Sequence, residues 1–393
     1  MRVCVVAEFY PRAHDPVLGI WAHRQALAAR DAGADVRVLV LHRPVPPRAT
    51  ARRDLLREAR RLAAQPRRAT LDGLEVEYVP FLAPPRPRHY GSWGAWAAPT
   101  LAVALRRLRA RFPFDLVHAH NAVPAADAVL RARTAAPLVV SEHGADVFHT
   151  APRHAAGRTA TERAFARARL VLANSRGIER ACRALGATRT RVLRLGTDLP
   201  PARLAATRPP GPPTLVTVAH LVGRKRHADV LRALWLLRDR HPDLRYLVVG
   251  DGPEREPLQR LASDLGVAPR VEFAGQLPHD DALARAREGT LFVMPSVDEA
   301  FGVAYVEAMA AGVPAIAAAG EPGPEEIARA GDGIRFVAPA DIESLAGELD
   351  ALLGDEVERA QLARRARATV ERAFTWERCG QETVRAYRDA LAG

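Results

Sequence analysis

Short apolar runs without polar alternation recur along the whole chain, and most are followed by a segment of helical pattern. In the first half these runs cover residues 2–7, 36–41, 114–119, 137–141 and 170–173; in the second, 214–219, 244–250, 271–274, 291–294 and 313–317. A strand that is apolar on both faces must be covered on both, which a parallel sheet with helices on either side achieves. Helical patterns span residues 20–32, with Gly33 placed to close the helix, and residues 226–240 and 254–265. From Asp341 onward the pattern is mostly helical. The fold class expected is α/β, and 393 residues exceed what one hydrophobic core holds, so two doubly wound domains are expected.

The stretch 200–213 carries six prolines and marks the expected boundary, with domains over 1–205 and 214–370 and a closing helical segment over 371–393. Two Pro/Arg stretches, 42–48 and 80–88, read as surface loops. No solenoid-length repeat is present. Charge divides at the same boundary. Residues 1–208 carry 35 arginines against 16 acidic residues, whereas residues 209–393 carry 22 basic against 29 acidic, for a net charge of +12. Such a split fits a first half that meets an anionic partner (a phosphorylated acceptor, membrane lipid or nucleic acid) or an Arg-rich composition that simply solvates helix faces. The segment 52–61, with Arg52, Arg53, Arg57, Arg60 and Arg61 opposite Leu55, Leu56 and Leu62, reads either as a basic helix on a membrane surface or as a solvated helix packed on a sheet.

Lys225 is the single lysine beside 56 arginines. Lysine offers a compact charge where arginine offers a planar fork, so the two are not interchangeable around a phosphate. No apolar run approaches the roughly 18 residues that a membrane-spanning helix needs, and the first apolar run ends at Glu8, too early for a signal peptide. Cys4, Cys182 and Cys379 have no paired spacing, which disfavours a disulfide framework or structural zinc and fits a reducing cytoplasm. The phosphate loop of P-loop enzymes, the dinucleotide glycine fingerprint, the serine-hydrolase elbow and the zincin helix are all missing.

Ligands of open α/β sheets bind at the carboxyl ends of the strands, so the strand-to-helix turns carry the weight. In Met294-Pro295-Ser296-Val297-Asp298-Glu299-Ala300-Phe301-Gly302-Val303 a strand ends, a loop carries Glu299 and a helix begins near Gly302. The first helical turn presents free N–H groups and the positive end of the dipole, a cradle for phosphate. Glu307, inside that helix among apolar residues, needs partners, and a ribose diol would satisfy both carboxylate oxygens. A second turn, His220-Leu221-Val222-Gly223-Arg224-Lys225-Arg226, places an ammonium near backbone N–H groups, which together would hold a diphosphate. A third, Ser141-Glu142-His143-Gly144-Ala145-Asp146, offers His143 as a hydrogen-bonding group beside a glycine that permits close approach. Gly19 opens the first helix and is placed to serve similarly, whereas His118 and His120 end a strand without an assigned role.

Taken in order, His143-Gly144-Ala145-Asp146, the turn ending in Lys225, Val249-Gly250-Asp251-Gly252-Pro253 and Glu299-Ala300-Phe301-Gly302-Val303-Ala304-Tyr305-Val306-Glu307 make the chain resemble glycosyltransferase family 4, retaining enzymes of the GT-B fold. The resemblance covers nearly the whole length. It implies two Rossmann-like domains facing a central cleft, with a nucleotide-diphosphate sugar, UDP- or GDP-linked, held by the second. It further implies that Glu307 binds the ribose and Glu299 the sugar hydroxyls. Backbone amides at Phe301, Gly302 and Val303 would contact sugar and phosphate, Lys225 would neutralise the diphosphate, and His143 would reach the donor sugar. The family commonly has an arginine where this chain has His220, so either His220 or Arg224 is expected at the diphosphate. The segment Gly320-Glu321-Pro322-Gly323 also departs from the usual glycine pair.

The function expected is transfer of a sugar, without a metal cofactor, to a glycan, lipid-linked or small-molecule acceptor. The protein would be cytoplasmic, with peripheral contact at the inner, anionic membrane face as a further expectation. The alternatives are a non-catalytic nucleotide-sugar-binding protein, or a nucleic-acid-binding protein using the basic half. Against the latter stand an aromatic content of 6% and the lack of a recognised nucleic-acid motif, so no nucleic-acid partner is expected.

Overall fold

The computed structural model of this chain describes residues 1–45, 51–201 and 211–393, with only the backbone given for residues 51–55. The chain forms two compact units, one of residues 1–195 and 376–393 and one of residues 196–375. Residues 202–210, most of the proline-rich stretch, lie outside the described residues, as does the 46–48 part of the first Pro/Arg stretch.

The first unit is built on β1 (Arg2–Ala7), β2 (Asp35–His42), β3 (Arg68–Leu71), β4 (Leu74–Pro80), β5 (Leu116–His120), β6 (Leu138–Glu142), β7 (Leu170–Ala173) and β8 (Thr190–Val192). They lie in the order β3-β4-β2-β1-β5-β6-β7-β8, parallel except for the β3–β4 pair. The second unit holds β9 (Thr214–Val218), β10 (Arg245–Val249), β11 (Val271–Gly275), β12 (Leu291–Met294), β13 (Ala315–Ala318) and β14 (Ile334–Val337), all parallel, in the order β11-β10-β9-β12-β13-β14. Both sheets are covered by helices, and the α/β class follows from why their strands read as continuous apolar runs: β5, β6, β7, β12 and β13 are buried at every residue.

Each sheet has a point where the strand order reverses. In the first it lies between β1 and β5, in the second between β9 and β12. Loops leaving adjacent strands there diverge to opposite faces and open a crevice at the carboxyl ends, which is where such sheets bind ligands. The topology therefore singles out the loops after β1, β5, β9 and β12.

Three features differ from the sequence expectation. The stretch 80–88 is not a plain surface loop. Pro80 ends β4, Phe81 is buried, and Arg86–His89 form a helical turn. A hairpin, β3–β4, turns through Asp72 and Gly73, both at positive φ, and strands β8 and β14 complete the sheets. The basic helix Ala51–Ala63 buries Leu62 while Leu56 is 74% exposed, so these two leucines do not share a face.

The closing helix Trp376–Ala392 belongs to the first unit and packs on the helix Ile20–Asp31. The contact is close at Gly380, where a Cβ would lie 2.1 Å from the Ala28 carbonyl oxygen. Gln25 also donates to Thr383 Oγ1 at 3.3 Å, and Tyr387 OH shares a 2.7 Å hydrogen bond with His118 Nδ1 in the middle of β5. In a free helix alanine is favoured over glycine by about 1 kcal/mol, so Gly380→Ala separates propensity from packing. Overpacking at this contact should win, lowering stability by about 1–3 kcal/mol. Thermal unfolding of the variant beside the parent measures the sign.

Candidate functional site

In the second unit the loops after β9 and β12 are tied together. After β9 the chain passes through a 3-10 turn, Gly223–Lys225, and Arg226 at φ 60° before the helix His227–Leu236. Lys225 thus precedes the helix in a tight turn, and only 9% of it is exposed. Its ammonium donates to Glu299 Oε2, and Arg224 Nη1 lies 3.8 Å from the same oxygen. Ser296 Oγ donates to that oxygen at 3.0 Å, and the Val297 N–H donates to the Arg224 carbonyl at 2.9 Å. Glu299 therefore does not cap the following helix; it is the counter-ion of the β9 turn. Burial pushes its carboxyl up, but Lys225, Arg224 and the hydrogen bonds outweigh this and hold it below the usual carboxylate range. Burial pulls the Lys225 ammonium down, an effect that Glu299 opposes and Arg224 reinforces.

The β12 loop is shaped from beneath by Tyr305, a fully buried residue of the helix Val303–Ala310. Its hydroxyl donates to the Met294 carbonyl and lies 3.3 Å from Ser296 Oγ, while its ring meets Phe292 edge-on. Gly302 caps the helix at φ 81°, where a Cβ would come within 2.3 Å of the Tyr305 ring, so only glycine fits. The unusual segment after β13 has a definite structural part. Glu321 accepts from the Glu299 N–H at 2.7 Å, and the Gly323 N–H donates to the Glu299 carbonyl at 2.9 Å. The quoted Val249–Pro253 segment supports the other loop, because Leu221 N–H donates to the Asp251 carbonyl and Glu254 N–H to the Leu221 carbonyl.

Glu299, Lys225 and Arg224 are thus brought together, with the backbone of Phe301, Gly302 and Val303 beginning the adjacent helix. His220 is exposed just after β9. Glu307 lies four residues beyond Val303, its side chain 13% exposed, with His279 Nε2 3.7 Å from Oε1. His279 starts the helix that follows β11, and no sequence pattern links it to Glu307.

In the first unit, His143 follows β6 and its Nε2 is 2.9 Å from His120 Nδ1, with the rings 4° from coplanar. The Trp21 ring lies 6.1 Å away on the helix that Gly19 opens. Gly19 itself, at φ 65°, is required by packing, because a Cβ there would sit 2.2 Å from the Phe9 carbonyl carbon. Two buried acids hold the His143 loop. Glu142 Oε1 accepts the N–H groups of Gly144 at 2.7 Å and Asp146 at 3.2 Å, and Asp146 Oδ2 accepts that of Ala122 at 2.6 Å. Burial, reinforced by Asp146, pushes Glu142 well up, and burial lifts Asp146 to about 6. A proton shared between these acids would satisfy Glu142 Oε2 and Asp146 Oδ1, which have no other hydrogen-bond partner among the described residues. Sequence reasoning did not single out Glu8, Arg86 or Tyr90. Tyr90 donates to Glu8 Oε2 at 2.7 Å, and Arg86 lies over the Tyr90 ring at 4.2 Å, beside the loop after β1. Among the described residues, no group of three or more His, Cys, Asp or Glu side chains is placed to hold a metal ion.

Removing one member of a buried ion pair strands the other charge. Lys225→Met alone should therefore cost about 3–5 kcal/mol. Lys225→Met with Glu299→Gln should recover most of that loss; a double-mutant cycle by thermal unfolding measures the recovery. The histidines supply a second test. Burial pulls His118 to about 3, His143 to about 4 and His120 well below its ordinary value of 6.5. All three stay neutral in the fold and charge in the unfolded chain. Their contribution is fully present above pH 6.5 and lost as pH falls toward 4. Their ring C2 protons should show no titration between pH 5 and 8, which proton NMR checks.

Two family models match consecutive parts of the chain: Glycosyltransferase Family 4 over residues 18–200 and Glycosyl transferases group 1 over residues 203–369. A GDP-mannose-dependent monoacylated alpha-(1-6)-phosphatidylinositol monomannoside mannosyltransferase from Corynebacterium glutamicum is 33% identical over 176 residues, 43% of this chain and 45% of that protein. The corresponding alpha-(1-6)-phosphatidylinositol monomannoside mannosyltransferase from Mycolicibacterium smegmatis is 37% identical over 150 residues, 36% of this chain and 39% of that protein. These matches span less than half of either relative. Among solved structures, sucrose-phosphate synthase from Thermosynechococcus elongatus aligns with a TM-score of 0.80 at 20% identity, covering 100% of this chain and 99% of that one. Anabaena HepE in complex with UDP aligns at 0.71 and 21% identity, covering 99% and 100%. The structural likenesses show the GT-B fold, and the two family models, which together run from residue 18 to residue 369, show that the chain belongs to glycosyltransferase family 4.

Proposed function

We propose that the protein is a retaining, metal-independent glycosyltransferase that moves a sugar from a nucleoside-diphosphate sugar to a glycan, lipid-linked or small-molecule acceptor. The observation that carries the reading is the convergence of Lys225, Arg224 and Glu299 at the strand-order reversal of the second sheet, beside the N-terminus of the Val303–Ala310 helix. A departing diphosphate gains negative charge as the glycosidic bond breaks. Fixed cations and backbone N–H groups aimed at that position lower the barrier without having to reorganise.

In this reading Lys225 and Arg224 take the diphosphate, with the amides of Phe301, Gly302 and Val303; Arg224 fits better than His220, because its guanidinium lies 3.8 Å from the Glu299 carboxylate that Lys225 also meets. Glu299 takes the sugar hydroxyls and Glu307 the ribose. His143 contributes a hydrogen bond to the sugar, and the Gly19 turn lends backbone N–H groups. No side chain of the cluster is placed as an unpaired nucleophile, which favours same-face attack, the leaving phosphate accepting the acceptor's proton.

The relatives bearing on the substrate are mannosyltransferases named for GDP-mannose and phosphatidylinositol mannosides, so a GDP-linked donor and a lipid-linked acceptor are the first to try. A lipid acceptor agrees with the arginine-rich first half, which would favour peripheral contact with an anionic membrane, and with the exposure of Leu82 and Trp96. Among the described residues no helix is long and apolar enough to cross a membrane.

Calorimetric titration with GDP and with UDP, in EDTA, tests the reading. One nucleotide should bind at micromolar concentration, and Glu307→Ala should weaken it at least tenfold, consistent with loss of about 1.4 kcal/mol or more. Binding of neither nucleotide, with or without added magnesium, would overturn the nucleotide-sugar reading, and binding that requires magnesium the metal-independent assignment; undiminished affinity in Glu307→Ala would remove the ribose role.

A further inference from the structure

The loop after β1 carries side chains that the reading above gives no task. Glu8, Phe9, Arg86 and Tyr90 meet at the carboxyl end of β1, beside the point where the strand order of the first sheet reverses. The Tyr90 hydroxyl donates to Glu8 Oε2 at 2.7 Å and lies 3.2 Å from the Val123 carbonyl, so it joins the β1 loop to the segment after β5. The Arg86 guanidinium lies 4.2 Å from the centre of the Tyr90 ring and 5.0 Å from that of Phe9, with Nη2 3.5 Å from Glu8 Oε2. Two ring faces and a carboxylate thus hold it in place.

Both polar groups keep unused capacity. The contacts of Glu8 fall on Oε2; among the described residues its Oε1 makes no hydrogen bond, and it is not sealed from solvent. Arg86 engages Nη2 alone and its side chain is 46% exposed, which leaves Nε and Nη1 to a ligand. The rings of Phe9 and Trp21, 6.4 Å apart and both partly exposed, supply apolar surface beside them. A carboxylate acceptor next to a planar donor suits a vicinal diol, in which one hydroxyl donates and its neighbour accepts, while aromatic rings suit the C–H face of the ring that bears it. An anion fits less well. It would face the Glu8 carboxylate, and Arg12, the other cation here, is turned to the main chain, its Nη2 donating to the carbonyls of Glu8 at 2.9 Å and Leu41 at 3.3 Å.

We propose that the first unit binds a neutral vicinal diol, carried on a pyranose or cyclitol ring, at the carboxyl end of β1. Glu8 Oε1 accepts from one hydroxyl, Arg86 donates to the next, and the ring packs on Phe9 and Trp21. That this ring belongs to the acceptor rests on the glycosyltransferase reading given above.

The test titrates the full chain, labelled with 15N in its tryptophan indoles, separately with methyl α-mannopyranoside, myo-inositol, mannose 6-phosphate and inorganic phosphate. At least one neutral ring should bind at about millimolar concentration, as a ligand of so few atoms does. It should move the Trp21 indole N–H signal, identified by its loss in Trp21→Phe, and leave that of Trp235 in place. Which neutral probe acts tells pyranose from cyclitol. Glu8→Gln should weaken binding about tenfold, and Arg86→Lys, which keeps the charge and loses the fork, by a similar factor. Tyr90→Phe removes an anchor but neither contacting group, and should cost less than about threefold. The proposal falls if neither neutral ring moves Trp21, if phosphate or the phosphorylated sugar binds more tightly than the neutral ring, if Glu8→Gln binds undiminished, or if Tyr90→Phe loses as much as Glu8→Gln. Calorimetry with GDP and UDP separates the layers. A chain that binds a nucleotide but no neutral ring loses this proposal alone; one that binds a neutral ring at Trp21 but no nucleotide keeps the diol site and loses the glycosyltransferase reading.

Discussion

The second unit depends on one buried ion pair, Lys225 with Glu299, joining turns that lie 74 residues apart in sequence. Each partner alone would be costly in a site so poor in water, and each makes the other tolerable. The pair also fixes where the loops lie. With the β9 turn bonded to the β12 loop through Val297, the ammonium, a guanidinium and a helix N-terminus come to occupy one corner of the sheet. Tyr305 and Gly302 set the loop from below, and Glu321 and Gly323 from the side. The proposed chemistry needs positive charge held still, and the fold supplies it by making the same residues indispensable to packing.

The first unit solves a related problem with neutral groups. Around His143, Glu142 and Asp146 are held by backbone N–H groups and pushed toward protonation by burial. The three nearby imidazoles are kept uncharged by the same burial. An uncharged donor suits a sugar hydroxyl, which gains nothing from a buried full charge that would first have to be desolvated.

How much of this was legible in the sequence follows from how local each signal is. Unbroken apolar runs reveal buried parallel strands because both faces demand the same chemistry. They miss β4, where Leu74-Glu75-Val76-Glu77-Tyr78-Val79 alternates, although Asp72-Gly73 is a strong two-residue hairpin signal. The expectation of a plain loop over 80–88 fails for a related reason: the prolines and arginines there conceal Phe81, which is buried against Trp93. Glu299 and Lys225 were each visible as unusual residues in their turns, but their pairing was not, since nothing local links two positions so far apart. His120 was visible only as a histidine at a strand end. Its ring meets His143, just past the end of the neighbouring strand β6, and such a relation is a property of strand order.

The solitary lysine can now be read as a packing statement. Arginine serves this chain at 56 positions, most of them able to spread a planar fork into solvent or along a partner. At position 225 the side chain is enclosed, and a single carboxylate oxygen, already shared with Ser296 and approached by Arg224, waits at its end. A guanidinium would bring five N–H groups into a space with few acceptors, and each unpaired one would exact a desolvation cost. An ammonium is compact, and its three hydrogens can be divided between Glu299 and, in the proposed function, the phosphate of the donor. In a chain that otherwise writes arginine for positive charge, the exception falls where a point charge is the only form that fits.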